Sequence, residues 1–154
     1  MTTKTLQTGT KNLRNDLPEK KPLRFHIDGF GTGKDFDSAV TAYVSLDGNG
    51  EDIQWIHTDI GISNSAAELR AVIHLLRDLE PGSYVQIFTD SKLVVRLLED
   101  PLPSPSRFFD FLYEIGELKR MGRFRVDVEW IPRAKNLAGR LIRKALSQQQ
   151  ESDE

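Results

Sequence analysis

Apolar and polar positions along the chain change period several times, and each change marks an element. Leu23, Phe25 and Ile27 alternate with Arg24 and His26, the period of two expected of a half-buried strand. This run is predicted to stop at Asp28-Gly29, handing a carboxylate to the end of a sheet. Val40, Ala42, Val44 and Leu46 alternate again in a strand from Ser38 to Leu46. Asp47-Gly48-Asn49-Gly50 reads as a hairpin turn, and a third strand follows at about Ile53 to Ile60. The connections are short, so these three strands form an antiparallel meander.

The period then becomes helical. Leu69, Val72, Ile73, Leu76 and Leu79 share one face of a helix from Asn64 to Leu79. Ser65-Ala66-Ala67-Glu68 reads as a capping box at its start, and Pro81-Gly82 ends it. Tyr84 to Phe88 is a buried strand ending at Thr89-Asp90-Ser91, followed by a short helix, Lys92 to Glu99. Pro101, Pro103 and Pro105 break the chain, and Ser104-Pro105 opens a helix to about Arg120 that Gly122 closes. Its inward residues are Phe108, Phe111, Leu112, Ile115 and Leu118. In the last strand Phe124, Val126, Val128 and Trp130 oppose Arg125, Asp127 and Glu129. A final helix, about Asn136 to Leu146, carries Leu137, Leu141, Ile142, Ala145 and Leu146. Strand-helix-strand links favour parallel pairs with right-handed crossovers. The expected class is α/β: a five-stranded mixed sheet, three antiparallel then two parallel strands, with helices on both faces.

Composition narrows the picture. A length of 154 residues suggests one folded domain, residues 22–146, between a basic polar tail at 1–21 and a polar, acidic tail at 147–154. The first tail is either solvated chain or a weak phosphate-contacting arm. With no cysteine, disulfides and thiolate metal sites are excluded. No apolar run approaches the roughly 18 residues of a membrane helix, and no signal-peptide core is present, so a cytoplasmic monomer without membrane contact is expected. A net charge of −2 argues against coating nucleic acid by bulk charge. Locally the sign reverses: Arg133, Lys135, Arg140, Arg143 and Lys144 make the last segment basic. That run is either a solvated helix face or a surface for backbone phosphates.

Candidate chemistry lies in three acids. Gly29-Phe30-Gly31-Thr32-Gly33-Lys34 invites a phosphate-loop reading, but Asp28 replaces the first glycine of that motif and Asp35 its hydroxyl residue, which puts carboxylates where phosphate would lie. A tight turn between strands fits better. Asp28 ends the first strand, Asp90 ends the fourth, and Glu68 sits in the first turn of the first helix. In an open α/β sheet, sites form outside strand ends where the strand order reverses. Like charges gathered there need a divalent cation, and hard oxygen donors suit Mg²⁺ or Mn²⁺. Each acid also has a plainer reading: a turn residue for Asp28, half of a capping box for Glu68, a helix cap for Asp90.

Together these motifs resemble the type 1 ribonuclease H family. The resemblance rests on Ile27-Asp28-Gly29, Asn64-Ser65-Ala66-Ala67-Glu68-Leu69, Phe88-Thr89-Asp90-Ser91 and Glu129-Trp130-Ile131-Pro132-Arg133, in order, and covers about residues 22 to 146. It implies a ribonuclease H-like fold. It implies that Asp28, Glu68 and Asp90 are metal-binding catalytic carboxylates, and that the RNA strand of an RNA/DNA hybrid is hydrolysed with two metal ions. Gly29, Asn64, Ser65 and Ser91 beside that site, with Arg133, Lys135, Asn136 and Arg140, are the expected nucleic-acid contacts.

Two departures from the family pattern stand out. Its fourth carboxylate belongs at the start of the final helix, where this chain has Gly139, so the second ion site is expected to be weakened. Its mobile histidine has no counterpart in the short Pro132-Arg133-Ala134-Lys135 loop. The alternative is therefore a protein that kept the fold, lost most catalysis, and binds nucleic acid or a protein partner. A proofreading-type exonuclease would need an acid at Phe30, and an actin-like kinase would need a second domain.

Overall fold

The computed structural model describes residues 21–32, 38–48, 51–57, 62–100 and 106–153. The N-terminal tail up to residue 20, Gly33-Lys34, Asn49-Gly50, residues 58–60 and the three prolines after Glu99 lie outside them.

The strands are β1 Leu23–Thr32, β2 Ser38–Ser45, β3 Glu51–His57, β4 Tyr84–Thr89 and β5 Arg125–Trp130. The helices are α1 Asn64–Asp78, α2 Lys92–Glu99, α3 Phe109–Gly122 and α4 Leu137–Asp153. One five-stranded sheet runs in the order β3-β2-β1-β4-β5. β1 pairs antiparallel with β2, and β2 with β3; β1–β4 and β4–β5 are parallel. The mixed sheet expected from the spacing is thus present.

Its two faces carry separate cores. Phe25 and Ile27 of β1 and Val85 and Ile87 of β4 point to the face covered by α1, α2 and α3, where Leu69, Val72, Ile73, Leu75 and Leu76 are buried. Each such side chain contributes about 1.5–3 kcal/mol on burial. On the opposite face Val40, Ala42 and Val44 of β2 pack on Ala138 and Ile142 of α4. The alternation of β2 serves both faces, because Ala39 and Tyr43 join the first core.

Several boundaries differ from the pattern-based expectation. β1 does not stop at Asp28-Gly29 but runs on to Thr32, because β2 supplies partners along its whole second half, from Asp28↔Ala42 to Thr32↔Ser38. The cap of α1 is Ser63, whose hydroxyl accepts from the Ala66 N–H at 3.2 Å, so the box expected at Ser65–Glu68 does not form. α3 is preceded by a single 3₁₀ turn, Ser106–Phe108, and the left-handed residue after it is Arg123. α4 continues past Leu146 to Asp153, through the stretch expected to be a tail; nothing between holds a glycine or proline to stop it. No helix among the described residues is long and apolar enough to cross a membrane.

Candidate functional site

β1 outlasts its parallel partner. The β1–β4 ladder ends at His26↔Phe88, while β1 continues beside β2 alone. Asp28 therefore sits just beyond the ladder, and Asp90 directly follows β4 on the other side of the opening. Between them stands Glu68 of α1. Gly29 admits it: a Cβ on Gly29 would fall 2.3 Å from the Ala67 carbonyl carbon and 2.4 Å from the Glu68 nitrogen. Only a residue without a side chain lets the helix backbone lie this close to the strand. Asn64 fastens the helix start, its Oδ1 accepting from the Gly31 N–H at 2.9 Å.

The result is a carboxylate triad. One oxygen from each of Asp28, Glu68 and Asp90 lies within 4.8 Å of the others. None of the plainer roles applies to them. Asp28 is inside a strand, Ser63 caps α1 in place of a Glu68 box, and Ser91 caps α2 by accepting from the Val94 N–H at 3.1 Å. Burial comes first in raising the Asp28 carboxyl above its ordinary range, and Asp90 adds to it, against a lowering hydrogen bond from Glu68. Burial, then the hydrogen bond to Asp28 and the charges of Asp28 and Asp90, push Glu68 up to about 10. Without a cation, burial and mutual repulsion thus favour a proton held on the Glu68–Asp28 pair. Thr89, fully buried, donates from Oγ1 to Glu68 Oε2 at 3.1 Å and fixes its rotamer.

A cleft of about 360 Å³ opens over the triad, and Gly29, Phe30, Asn64, Ser65, Ser91 and Arg133 complete its walls. Lys135 and Arg140 are exposed nearby in sequence but do not line it; Arg140 donates to the Ala134 carbonyl at 2.9 Å. Asn136, another expected contact, is fully buried and does not line the cleft. Its Nδ2 donates to the Ile27 carbonyl at 2.9 Å and to Asp90 at 3.2 Å, while its Oδ1 accepts from the Ala138 and Gly139 N–H groups. It ties β1, Asp90 and the start of α4 together, and no side-chain face of it is presented to a ligand.

Three supports of the site carry no assigned role in the sequence reading. Trp130 has the parity of a core residue, yet it projects past the end of β5, 43% exposed. Its Nε1 donates to the Asp90 carbonyl at 3.1 Å, and Lys92 lies 5.1 Å over its ring. His26 accepts at Nδ1 from the Leu137 N–H at 2.9 Å, and burial pushes its imidazole down. Thr89 was visible as part of Thr-Asp-Ser, but only its partner, Glu68, reveals its use. A second group with metal-ligand types, Asp52, His74 and Asp78, contributes no wall to this cleft; His74 pairs with Asp52 and Asp78, and Tyr43 donates to Asp78 at 2.7 Å.

No protein-family model matches the chain, and no curated protein sequence matches it. Solved structures do. RNase H1 of the halophilic archaeon Halobacterium salinarum superposes with a TM-score of 0.64 at 21% identity, over 83% of this chain and 99% of that one. The chain has the ribonuclease H fold. The N-terminal RNase H domain of a Mycobacterium tuberculosis protein, solved as a fusion with maltose-binding protein, gives 0.61 at 23% identity, over 86% of this chain and 99% of that one. LC11-RNase H1, solved in complex with an RNA/DNA hybrid, gives 0.59 at 22% identity, over 75% and 88%. Within the ribonuclease H fold, the triad sits where the β1–β4 ladder opens, the crevice position that the topology of an α/β sheet favours for ligands.

Proposed function

We propose that the protein is a divalent-metal-dependent endonuclease of ribonuclease H type that hydrolyses the RNA strand of RNA/DNA hybrids. The observation that carries this reading is the convergence of Asp28, Glu68 and Asp90 oxygens within 4.8 Å in an open cleft. Oxygens on opposite sides of a Mg²⁺ ion stand roughly 4.2 Å apart at bond lengths of about 2.1 Å, so the triad fits such an ion with slight closure. Its donors are all hard oxygens, which suits Mg²⁺ or Mn²⁺. Ionising all three of these carboxylates gathers negative charge in a shielded place, and a cation offsets it. When bound, the ion supplies positive charge that activates water and offsets charge on the departing oxygen.

The chain's own residues set the geometry. Water attacks phosphorus, the bond from phosphorus to the 3′ oxygen breaks, and the fragments keep a 5′ phosphate and a 3′ hydroxyl. The proton lost by the water is balanced by the one the 3′ oxygen gains. Thr89 holds Glu68, and Asn136 and Trp130 hold Asp90, so the triad is in place before substrate arrives. Asn64 uses its oxygen on Gly31, which leaves its amide NH₂ as a donor at the cleft wall. With Ser65 and Gly29 it is positioned to test for the 2′ hydroxyl that separates RNA from DNA. Arg133 brings positive charge to the same wall.

A second reading, a nucleic-acid-binding protein with lost catalysis, draws on Gly139 at the place of a fourth acid. One experiment separates the two. A labelled RNA/DNA hybrid, with RNA and DNA duplexes beside it, is incubated with the native chain, Asp28→Asn, Asp90→Asn and Gly139→Asp in Mg²⁺ and Mn²⁺. Hybrid-selective cleavage lost in both Asn variants supports the nuclease. An inert native chain that gains cleavage in Gly139→Asp supports the binding protein, and cleavage that survives Asp28→Asn overturns both.

A further inference from the structure

We propose that Arg143 supplies, on the α4 side of Asp28, positive charge of the kind a second divalent ion would bring. The cleft then holds one ion and grips a phosphodiester between that ion and two guanidiniums, Arg143 and Arg133. The inference deepens the nuclease reading and rests on it.

Position 139 is where a side chain from α4 would enter the triad. Gly139 is buried, and a Cβ on it would lie 3.0 Å from Asp28 Oδ2. An acid there would be a fourth oxygen donor, but the chain offers hydrogen. The same point in space is 3.4 Å from Arg143 Nη1, one helical turn further along α4. The gap beside Asp28 is therefore bordered by a guanidinium. Arg143 is exposed and, among the described residues, neither it nor Arg133 forms an ion pair with a carboxylate.

Charge balance points the same way. Three ionised carboxylates against one divalent ion leave one net negative charge, which repels a phosphodiester. Two guanidiniums reverse that sign. A guanidinium also offers a planar fork of donors that matches two phosphate oxygens, which a spherical ion does not. A second ion beside Asp28 would meet no further carboxylate from α4 and would be repelled by Arg143.

Two measurements test this without turnover as the readout. The first is binding of a labelled RNA/DNA hybrid in Ca²⁺ over a range of salt, for the native chain, Arg143→Ala and Arg143→Lys, each checked for native circular dichroism. Arg143→Ala is expected to bind roughly tenfold more weakly, with a salt slope shallower by about 0.9. Arg143→Lys keeps the slope and recovers part of the affinity. The second is calorimetric titration with Mn²⁺ alone: one ion for the native chain and for Arg143→Ala, two for Gly139→Asp. Native affinity and slope in Arg143→Ala, two ions in the native chain, or one ion in Gly139→Asp overturns the proposal. The nuclease reading survives those results if the native chain still cleaves hybrid; a native chain that neither binds nor cleaves hybrid overturns both.

Discussion

Gly29 is the position where fold and site depend most directly on a missing side chain. Placing a methyl group there puts a Cβ 2.3 Å from the Ala67 carbonyl carbon, 2.4 Å from the Glu68 nitrogen and 2.5 Å from the Ala67 oxygen. All three are backbone atoms, so no rotamer change relieves them. Ordinary contact needs at least 3.4 Å, so α1 must withdraw from β1 by about 1 Å. Overpacking of this kind costs roughly 1–3 kcal/mol, which lowers the unfolding midpoint of a chain this long by roughly 3–10 °C. The same withdrawal carries Glu68 away from Asp28, and a displacement near 1 Å costs about a hundredfold in rate. Gly29→Ala is therefore expected to lose both stability and cleavage, read by thermal circular dichroism and by a hybrid cleavage assay. Gly116→Ala is the control: it lies in α3 with open space around its Cβ position. It should gain about 0.5–1 kcal/mol and leave cleavage alone. A Gly29→Ala chain with native midpoint and native rate would refute the idea that close helix–strand approach places Glu68.

Three further outcomes follow from the hydrogen bonds and charges. In EDTA, Glu68 holds a proton that the unfolded chain releases near 4.5, so its stabilising contribution is complete below that pH and fades as pH climbs toward about 10. The slope is at most ~1.4 kcal/mol per pH unit; Mg²⁺ displaces the proton, so Mg²⁺ should raise the urea midpoint more at pH 8 than at pH 6, and Glu68→Gln should flatten the EDTA slope. His26 is held neutral by burial and by the Leu137 N–H, so its contribution is present above the unfolded value of 6.5 and lost as pH falls below it. An NMR titration of the imidazole should show protonation only below that value, and a normal titration would contradict it. Asn136→Ala leaves the Ile27 carbonyl and two α4 N–H groups without partners and should cost roughly 2–4 kcal/mol by urea unfolding; a loss under 1 kcal/mol would mean water replaces the amide.

Periodicity was a good guide wherever packing follows it. The alternation at Leu23–Ile27 and the helical spacing of Leu69–Leu76 are consequences of facing a core, so strand and helix identity could be read directly. The second half of β1 could not, since Gly29, Phe30, Gly31 and Thr32 show no apolar alternation and are held by β2 instead. Ser63 and Ser65 both fit a cap locally, and the Ala66 N–H donating to the Ser63 hydroxyl decides between them. Asp90 and Glu68 were visible because they lie beside the end of β4 and near the start of α1, while Asp28 lies inside β1, just past the end of its ladder with β4. Asn136 misled because a buried amide depends on partners more than 40 residues away, such as Asp90 at a separation of 46. Trp130 shows the converse: its parity matches the core, but the strand carries it past the last core residue.

End-group analysis of a cleaved hybrid tests the central claim most directly. With Mg²⁺, the native chain should leave RNA fragments bearing 5′ phosphates and 3′ hydroxyls, with no products in EDTA or in Asp90→Asn. Intact hybrid, or fragments ending in 2′,3′-cyclic phosphates that persist in EDTA, would contradict a cation gathered by Asp28, Glu68 and Asp90.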